Sequence, residues 1–317
     1  MSKPLKQTNL LNISLLSLFA LLHIVDVAAE DFILESDNDS VIGELRKTKS
    51  ESKYTLLDIA RANGFGYDEI RRVNPDLDTW LPGDGHEIVL PSKYVLPDAP
   101  RNGIVLNIPE MRLYYFSKGG KNNLTKVNTY PLGIGRQGWD IPYKNTHIIE
   151  RKKHPYWHPP KSIREEHEAM GDPLPKRVEP GPDNPLGDYA LRLGLPGYLI
   201  HGTNKPFGIG MRVSHGCIRL YPEDIEELYE RVTLGTPVYI INQPYKVGRL
   251  GNKIYLEAHS FMKEDTELFE NNLTSVIKMI IEVTGDQTYK VEWDLVKQVI
   301  RELKGIPVAI GVIATAA

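Results

Sequence analysis

Cysteine is almost absent from this sequence: Cys217 is the single one in 317 residues. That scarcity excludes a disulfide framework. Long runs of one charge are also missing. Lys and Arg together number 38 against 41 Asp and Glu, a net charge of −3 with His neutral; a near-neutral chain of this kind is not built to neutralise phosphates, so nucleic acid is not expected as a partner. Nor does any apolar run approach the roughly 20 residues that a helical membrane span needs. The C-terminal "GIPVAIGVIATAA" falls well short and reads as a strand and tail. Near the N-terminus, Lys3 and Lys6 precede an apolar stretch from Leu10 to Val25, interrupted by Asn12, Ser14 and Ser17, and the small residues Val27-Ala28-Ala29 follow. This is the pattern of a secretory signal peptide, residues 1–29, cut after Ala29 and leaving no transmembrane anchor. An exported chain meets an oxidising compartment, where an unpaired thiol serves either an intermolecular bridge or its own reactivity.

What is present divides into three parts. After a charged stretch over 30–52, "LLDIARANG" places Leu56, Ile59 and Ala60 on one helical face and stops at Gly64, and "YDEIRRVNP" repeats the device before Pro75. "PGDGHEIVLP" then reads as a turn and a short strand. Helix, helix, turn and strand over 52–95 make a small α+β unit that resembles the LysM module, a binder of peptidoglycan glycan. "YVLPDAPRNG" reads as a linker, because its prolines restrict the chain. From 102 to 245 the texture is β: "GIVLNI", "RLYYFS" and "KVNTYPLGIG" are rich in β-branched and aromatic residues between Gly, Pro and Asn. Within it, 144–190 departs from strand texture and reads as a long lid or binding loop. His154 and His158 are four apart, but Pro155 and Pro159 argue against the helix that would join them on a metal. The C-terminal part, 246–317, contains a hairpin-like "RLGNKIYLEAH", a helix around "WDLVKQVIREL" and a final strand. Asn123-Leu124-Thr125 and Asn272-Leu273-Thr274 fit a glycosylation sequon, a match that arises readily by chance.

The chemistry gathers in "YLIHGTNKPFGIGMRVSHGCIRLYPED". Read as a strand, "VSHGCIRL" puts His215, Cys217 and Arg219 on one face and Ser214, Gly216 and Ile218 on the other. Positive neighbours favour the thiolate, the nucleophilic form, so the thiol is expected to have a lowered pKa. "YLIHG" ends in His201, placed by the following loop to take the thiol proton, while the Gly202 carbonyl fixes the imidazole tautomer. The backbone N–H groups of Gly216 and Cys217 are candidate oxyanion donors. One thiolate and two histidines would need a fourth ligand to hold structural zinc, so the pattern favours thiol acyl transfer with no metal and no cofactor.

"HGTNKPFGIGMRVSHGCIRL", with "NPLG" and "YLIHG" ahead of it, resembles the signature of the L,D-transpeptidases, the YkuD-type domain. The resemblance runs from about Gly103 to Tyr245. It implies a mainly β fold with a β-sandwich-like catalytic domain, a LysM-like α+β module before it and a small α/β extension after it. It also implies Cys217 as nucleophile, His201 as base oriented by Gly202, and His215 and Gly216 shaping the oxyanion site with Ser214 in support. Arg219, where many members carry Asn, looks like the variant of enzymes that attach the major outer-membrane lipoprotein to peptidoglycan, and is expected to bind substrate. "IPYK", Ile141 to Lys144, departs from the family's usual Thr-Pro-x-Gly. The implied partners are peptidoglycan stem peptides and a lipoprotein lysine or second diaminopimelate as acceptor, in the periplasm. Water as acceptor, giving an L,D-carboxypeptidase or lipoprotein-detaching hydrolase, stays open, as does a non-catalytic wall-binding protein. A papain-like protease fits poorly, since its histidine follows the cysteine and only His259 does so here.

Overall fold

The structure, a computed structural model, describes residues 31–36, 38–119, 124–139, 141–214, 216–269 and 273–314. The expected signal peptide, His215, and Asn123 and Asn272 of the sequons lie outside the described residues. Strands β1 (Asp31–Leu34), β2 (Val41–Gly43) and β3 (Arg46–Lys49) precede helices α1 (Leu56–Ala62) and α2 (Tyr67–Val73), followed by β4 (Glu87–Leu90) and β5 (Lys93–Val95). The middle of the chain carries β6 (Gly103–Asn107), β7 (Arg112–Gly119), β8 (Leu124–Pro131), β9 (Ile134–Gly135), β10 (Asn145–Lys153), α3 (Lys161–Ala169), β11 (Tyr189–Leu193), β12 (Leu199–His201), β13 (Arg212–Ser214), β14 (Ile218–Arg219), α4 (Pro222–Arg231) and β15 (Pro237–Ile241). The last part contributes β16 (Tyr245–Leu250), β17 (Lys253–Ala258), α5 (Thr266–Phe269), α6 (Leu273–Thr284), β18 (Tyr289–Val291), α7 (Trp293–Glu302) and β19 (Val308–Ile313). The protein is mainly β.

A nine-stranded sheet, ordered β1-β8-β7-β6-β15-β10-β11-β12-β14, forms the centre. Its strand β6 reads as an unbroken apolar run because both faces are covered. Ile104 and Leu106 point into one core with Leu113, Ile148, Leu191, Ile200, Ile218 and, from α4, Ile225 and Leu228. Val105 points the other way, with Tyr114, Phe116 and Val127, into a second core completed by Leu56, Ile59, Phe65 and Ile70 of the small N-terminal unit. That unit thus covers one face of the main sheet, and β1 ahead of it pairs with β8 as the sheet's outer strand.

Within the unit, β3 pairs antiparallel with β4 on either side of the two helices, a β-α-α-β order. Thr55 caps α1, accepting from Asp58 N while the Asp58 carboxylate accepts from Thr55 N, which satisfies two N-terminal donors reciprocally. The segment expected as a linker begins as β5, whose Tyr94 and Val95 are buried, as is Leu96. The C-terminal part builds its own sheet, β16-β17-β19-β18, over α6 and α7. Its hairpin, helix and final strand stand where the sequence reading put them.

The three parts meet on a buried charge cluster. Lys246 Nζ lies 2.9 Å from both Glu110 and Glu257, and His259 Nε2 lies 2.6 Å from Glu257. Tyr114 donates to Glu110, and the Val95 amide donates to Glu257. Glu110, Glu257 and His259 are spaced as metal ligands could be, but the Lys246 ammonium already supplies the cation between the carboxylates.

Candidate active site

Cys217 does not sit on one continuous strand. Pairing stops at Ser214 and resumes at Ile218, and Gly216 between them has φ +97°, a conformation open to glycine and disfavoured for L side chains. The expected alternation of faces fails with the strand: Ser214, assigned to the far side, lines the same cavity as Cys217 and Arg219. Ser214 Oγ donates to the Cys217 carbonyl at 2.7 Å, so the serine fixes the backbone that carries the thiol. Parallel pairing of β12 with β14 sets His201 opposite Arg219, and His201 opens onto the same cavity. The structure therefore brings together Cys217, His201, Ser214 and Arg219. Gly202 and Gly216 contribute backbone.

The imidazole is buried, and its Nδ1 lies 2.6 Å from the Gly202 carbonyl. A carbonyl only accepts, so Nδ1 carries the proton and Nε2 is the ring's acceptor. Burial first, and then the Arg219 charge, push the His201 pKa down to about 3, with the Gly202 and Leu186 carbonyls offsetting part of the fall. The ring is neutral at pH 7. The lowered thiol pKa expected from the sequence is not found. Burial pushes the Cys217 thiol up, against smaller opposing effects of the Leu199 amide and Arg219; of the two positive neighbours expected, only Arg219 is among the described residues. Arg219 is itself pulled down by burial. Its Nε is buried with no hydrogen-bond partner among the described residues.

The cavity has a volume of about 500 Å3. Its outer wall comes from the 144–190 region, whose first part is not a loop: Asn145–Lys153 is strand β10, with Ile148 as its buried anchor. The chain then turns at His154, and α3 begins just beyond Pro160. Tyr156, Trp157 and Ile163 of this lid face the cavity. His154 lies 3.3 Å from Asp188, whereas His158 lines the cavity, so the two histidines part. The lid is pinned inside by the fully buried Asn184, whose amide donates to Pro155 O and Glu179 O and whose Oδ1 accepts from Leu186 N. Outside, Glu166 of α3 accepts from Arg136, which follows β9, at 2.6 and 2.7 Å. Asn184 lies in the "NPLG" already noted. The Arg136–Glu166 pair left no local signal, because it joins residues 30 apart in sequence.

Comparison with known proteins adds the following. The YkuD L,D-transpeptidase catalytic domain matches residues 101–240. Escherichia coli K12 "Probable L,D-transpeptidase YbiS" is 37% identical over 310 residues, 94% of this chain and 99% of that protein. From the same organism, "Probable L,D-transpeptidase YcfS" is 43% identical over 71% of this chain and 72% of its own length. "Probable L,D-transpeptidase ErfK/SrfK" of Salmonella typhimurium is 39% identical over 80% of this chain and 82% of its own.

Proposed function

The chain belongs to the L,D-transpeptidase family, and from that premise we propose that it is an exported, periplasmic peptidoglycan L,D-transpeptidase with Cys217 as nucleophile and His201 as its base. The observation that carries this reading is the opening of the only thiol, a neutral histidine and Arg219, whose Nε has no hydrogen-bond partner among the described residues, onto one cavity. His201 Nε2 takes the Sγ proton as sulfur attacks the L,D-peptide carbonyl of diaminopimelate in a tetrapeptide stem. The tetrahedral oxyanion is met by the N–H groups of Gly216 and Cys217, with His215 shaping that side. Collapse breaks the C–N bond, the imidazolium returns its proton to the departing D-alanine amine, and a thioester remains on Cys217. An acceptor amine then attacks the thioester, loses its proton to His201, and releases the thiol. With both groups neutral at rest, proton transfer accompanies attack and no thiolate is stored beforehand.

Arg219 pairs with a carboxylate of the stem peptide. The acceptor is a lipoprotein lysine or, alternatively, a second diaminopimelate; Arg219 in place of Asn favours the first. The β-α-α-β order of the N-terminal unit supports a LysM-like module that holds glycan. The test is incubation with purified tetrapeptide muropeptide, with and without a peptide ending in the lipoprotein's lysine, followed by mass spectrometry. Wild type should release D-alanine and gain the mass of the stem as a thioester. Cys217→Ala should do neither, and His201→Ala should slow acylation about a hundredfold. Turnover by Cys217→Ala would remove the reading, and free tripeptide as the sole product would make the enzyme a hydrolase.

A further inference from the structure

The segment that carries the thiol is gripped at both ends by the small helical unit. Upstream of Cys217, the first amides of α2 do not point to solvent: Tyr67 N donates to Ile209 O at 3.0 Å and Asp68 N to Gly210 O at 3.3 Å. Gly66 and Gly210 touch backbone to backbone there. A Cβ on Gly66 would stand 2.7 Å from Gly210 Cα, and one on Gly210, at φ +80°, would stand 2.3 Å from Tyr67 N. Neither position has room for a methyl group. Downstream, Tyr221 Oη donates to Phe65 O at 3.1 Å, and Glu223 accepts two bonds from Arg61 at 2.8 and 2.9 Å. Residues 209–223, which include Ser214, Cys217 and Arg219, thus span between two anchor points on one short stretch, Arg61 to Asp68.

The middle of the segment rests on the main sheet. Gly210 N donates to Leu132 O, Arg219 exchanges two bonds with Gly133, and Leu220 N donates to the His201 carbonyl. A displacement at Gly210 or Tyr221 is therefore passed along a short stretch of backbone to Cys217, and through the Leu220 amide to His201. Chemistry is sensitive to such shifts, since an error of about 1 Å between reacting groups can cost about a hundredfold in rate.

We infer that the turn from Phe65 to Gly66 is a positioning element for the reaction: it sets the Cys217 segment against His201 and acts on the rate of the chemical step without touching substrate. The inference rests on the reading of Cys217 and His201 as nucleophile and base. Gly66 and Tyr221 are its positioning residues.

The mature enzyme is assayed for D-alanine release from soluble disaccharide tetrapeptide, with kcat and KM separated and all variants checked by thermal melting. Gly66→Ala should lower kcat tenfold or more with KM within twofold of wild type. Gly64→Ala is the control: Gly64 has φ +72° and open space around it, so a methyl group strains the same turn without reaching Gly210, and kcat should stay within twofold. Tyr221→Phe removes only the hydroxyl bonded to Phe65 O and should lower kcat severalfold at unchanged KM, which keeps the test decisive should Gly66→Ala fail to fold. A wild-type kcat in either Gly66→Ala or Tyr221→Phe, or an equal loss in Gly64→Ala, overturns the inference. Turnover by Cys217→Ala in the same assay would instead overturn the assignment of the nucleophile, so the two failures are distinguishable.

Discussion

Burial raises the Cys217 thiol and lowers His201, so the free enzyme rests with a protonated thiol and a neutral imidazole on one cavity. Iodoacetamide should therefore alkylate Cys217 slowly at pH 7, with a rate that climbs toward a midpoint above the roughly 8.5 of a free thiol. Arg219 is a cation near the thiol and favours the anion that forms when the proton leaves. Its loss in Arg219→Gln should move the midpoint further up and slow alkylation at neutral pH. Arg219→Lys keeps the charge but not the planar fork, so its midpoint should match wild type while KM for the tetrapeptide rises severalfold. We expect the second effect to be the larger, on the proposal that Arg219 pairs with a stem carboxylate. A wild-type KM in Arg219→Lys, or a lower midpoint in Arg219→Gln, would count against these roles. That Cys217 and His201 meet at one cavity was legible in the sequence, because such chemistry is carried by side-chain type and a short motif. Their pKa values were not, since burial is a property of the assembled cavity.

Helix α4, directly after the site, shows the same division at the level of an element. Pro222 at its first position and Glu223 and Asp224 in its first turn are ordinary helix-start signals. Packing turns one of them into something else. Asp224 is buried, its Oδ2 without a hydrogen-bond partner among the described residues, and burial, followed by repulsion from Glu223 and Glu227, raises its pKa well above the usual carboxylate range. An unfolded Asp titrates near 3.9. The folded state thus binds the extra proton above that value, and the contribution is complete below about pH 4 and lost as pH rises through the raised pKa. Asp224→Asn should show a constant stability difference from wild type below about pH 4 and then gain on it by up to about 1.4 kcal/mol per pH unit. Urea midpoints measured from pH 4 to 8 check this, and a flat difference across that range would mean that Asp224 is ionised in the folded protein. Elements were legible where burial follows their period, as in α1 and α7, or leaves an unbroken apolar run, as in β6. Strand β3, "RKTK", has no buried residue, and β10 has one, Ile148, so neither shows alternation. The break at Gly216 escaped for a different reason: "VSHGCIRL" has the composition of a strand, and tertiary contacts decide where its pairing stops.

For the whole molecule, the sequence reading set off 52–95 as a unit before a proline-bearing segment, which suggests that it can be removed without harm to the chemistry. Its packing argues otherwise. Taking away residues 31–95 would bare Val105, Tyr114, Phe116 and Val127 on the main sheet. At about 1.5–3 kcal/mol for each such side chain, the loss approaches the roughly 5–15 kcal/mol by which a whole domain is stable. Polar contacts would go too: Arg112, 1% exposed, would lose its bidentate partner Glu69, and Glu257 would lose the Val95 amide. By contrast, the half-exposed Arg61–Glu223 pair adds under about 1 kcal/mol to stability, so that contact matters for position more than for cohesion. The chain from 31 onward is expected to melt in one transition, and a form beginning at residue 96 should be insoluble or lack a cooperative melt, losing activity on soluble tetrapeptide and on intact sacculi alike. Differential scanning calorimetry of the mature and shortened chains, with D-alanine release on both substrates, checks this. A shortened chain that melts cooperatively and turns over soluble tetrapeptide at the full rate would show that the main sheet does not need its second core.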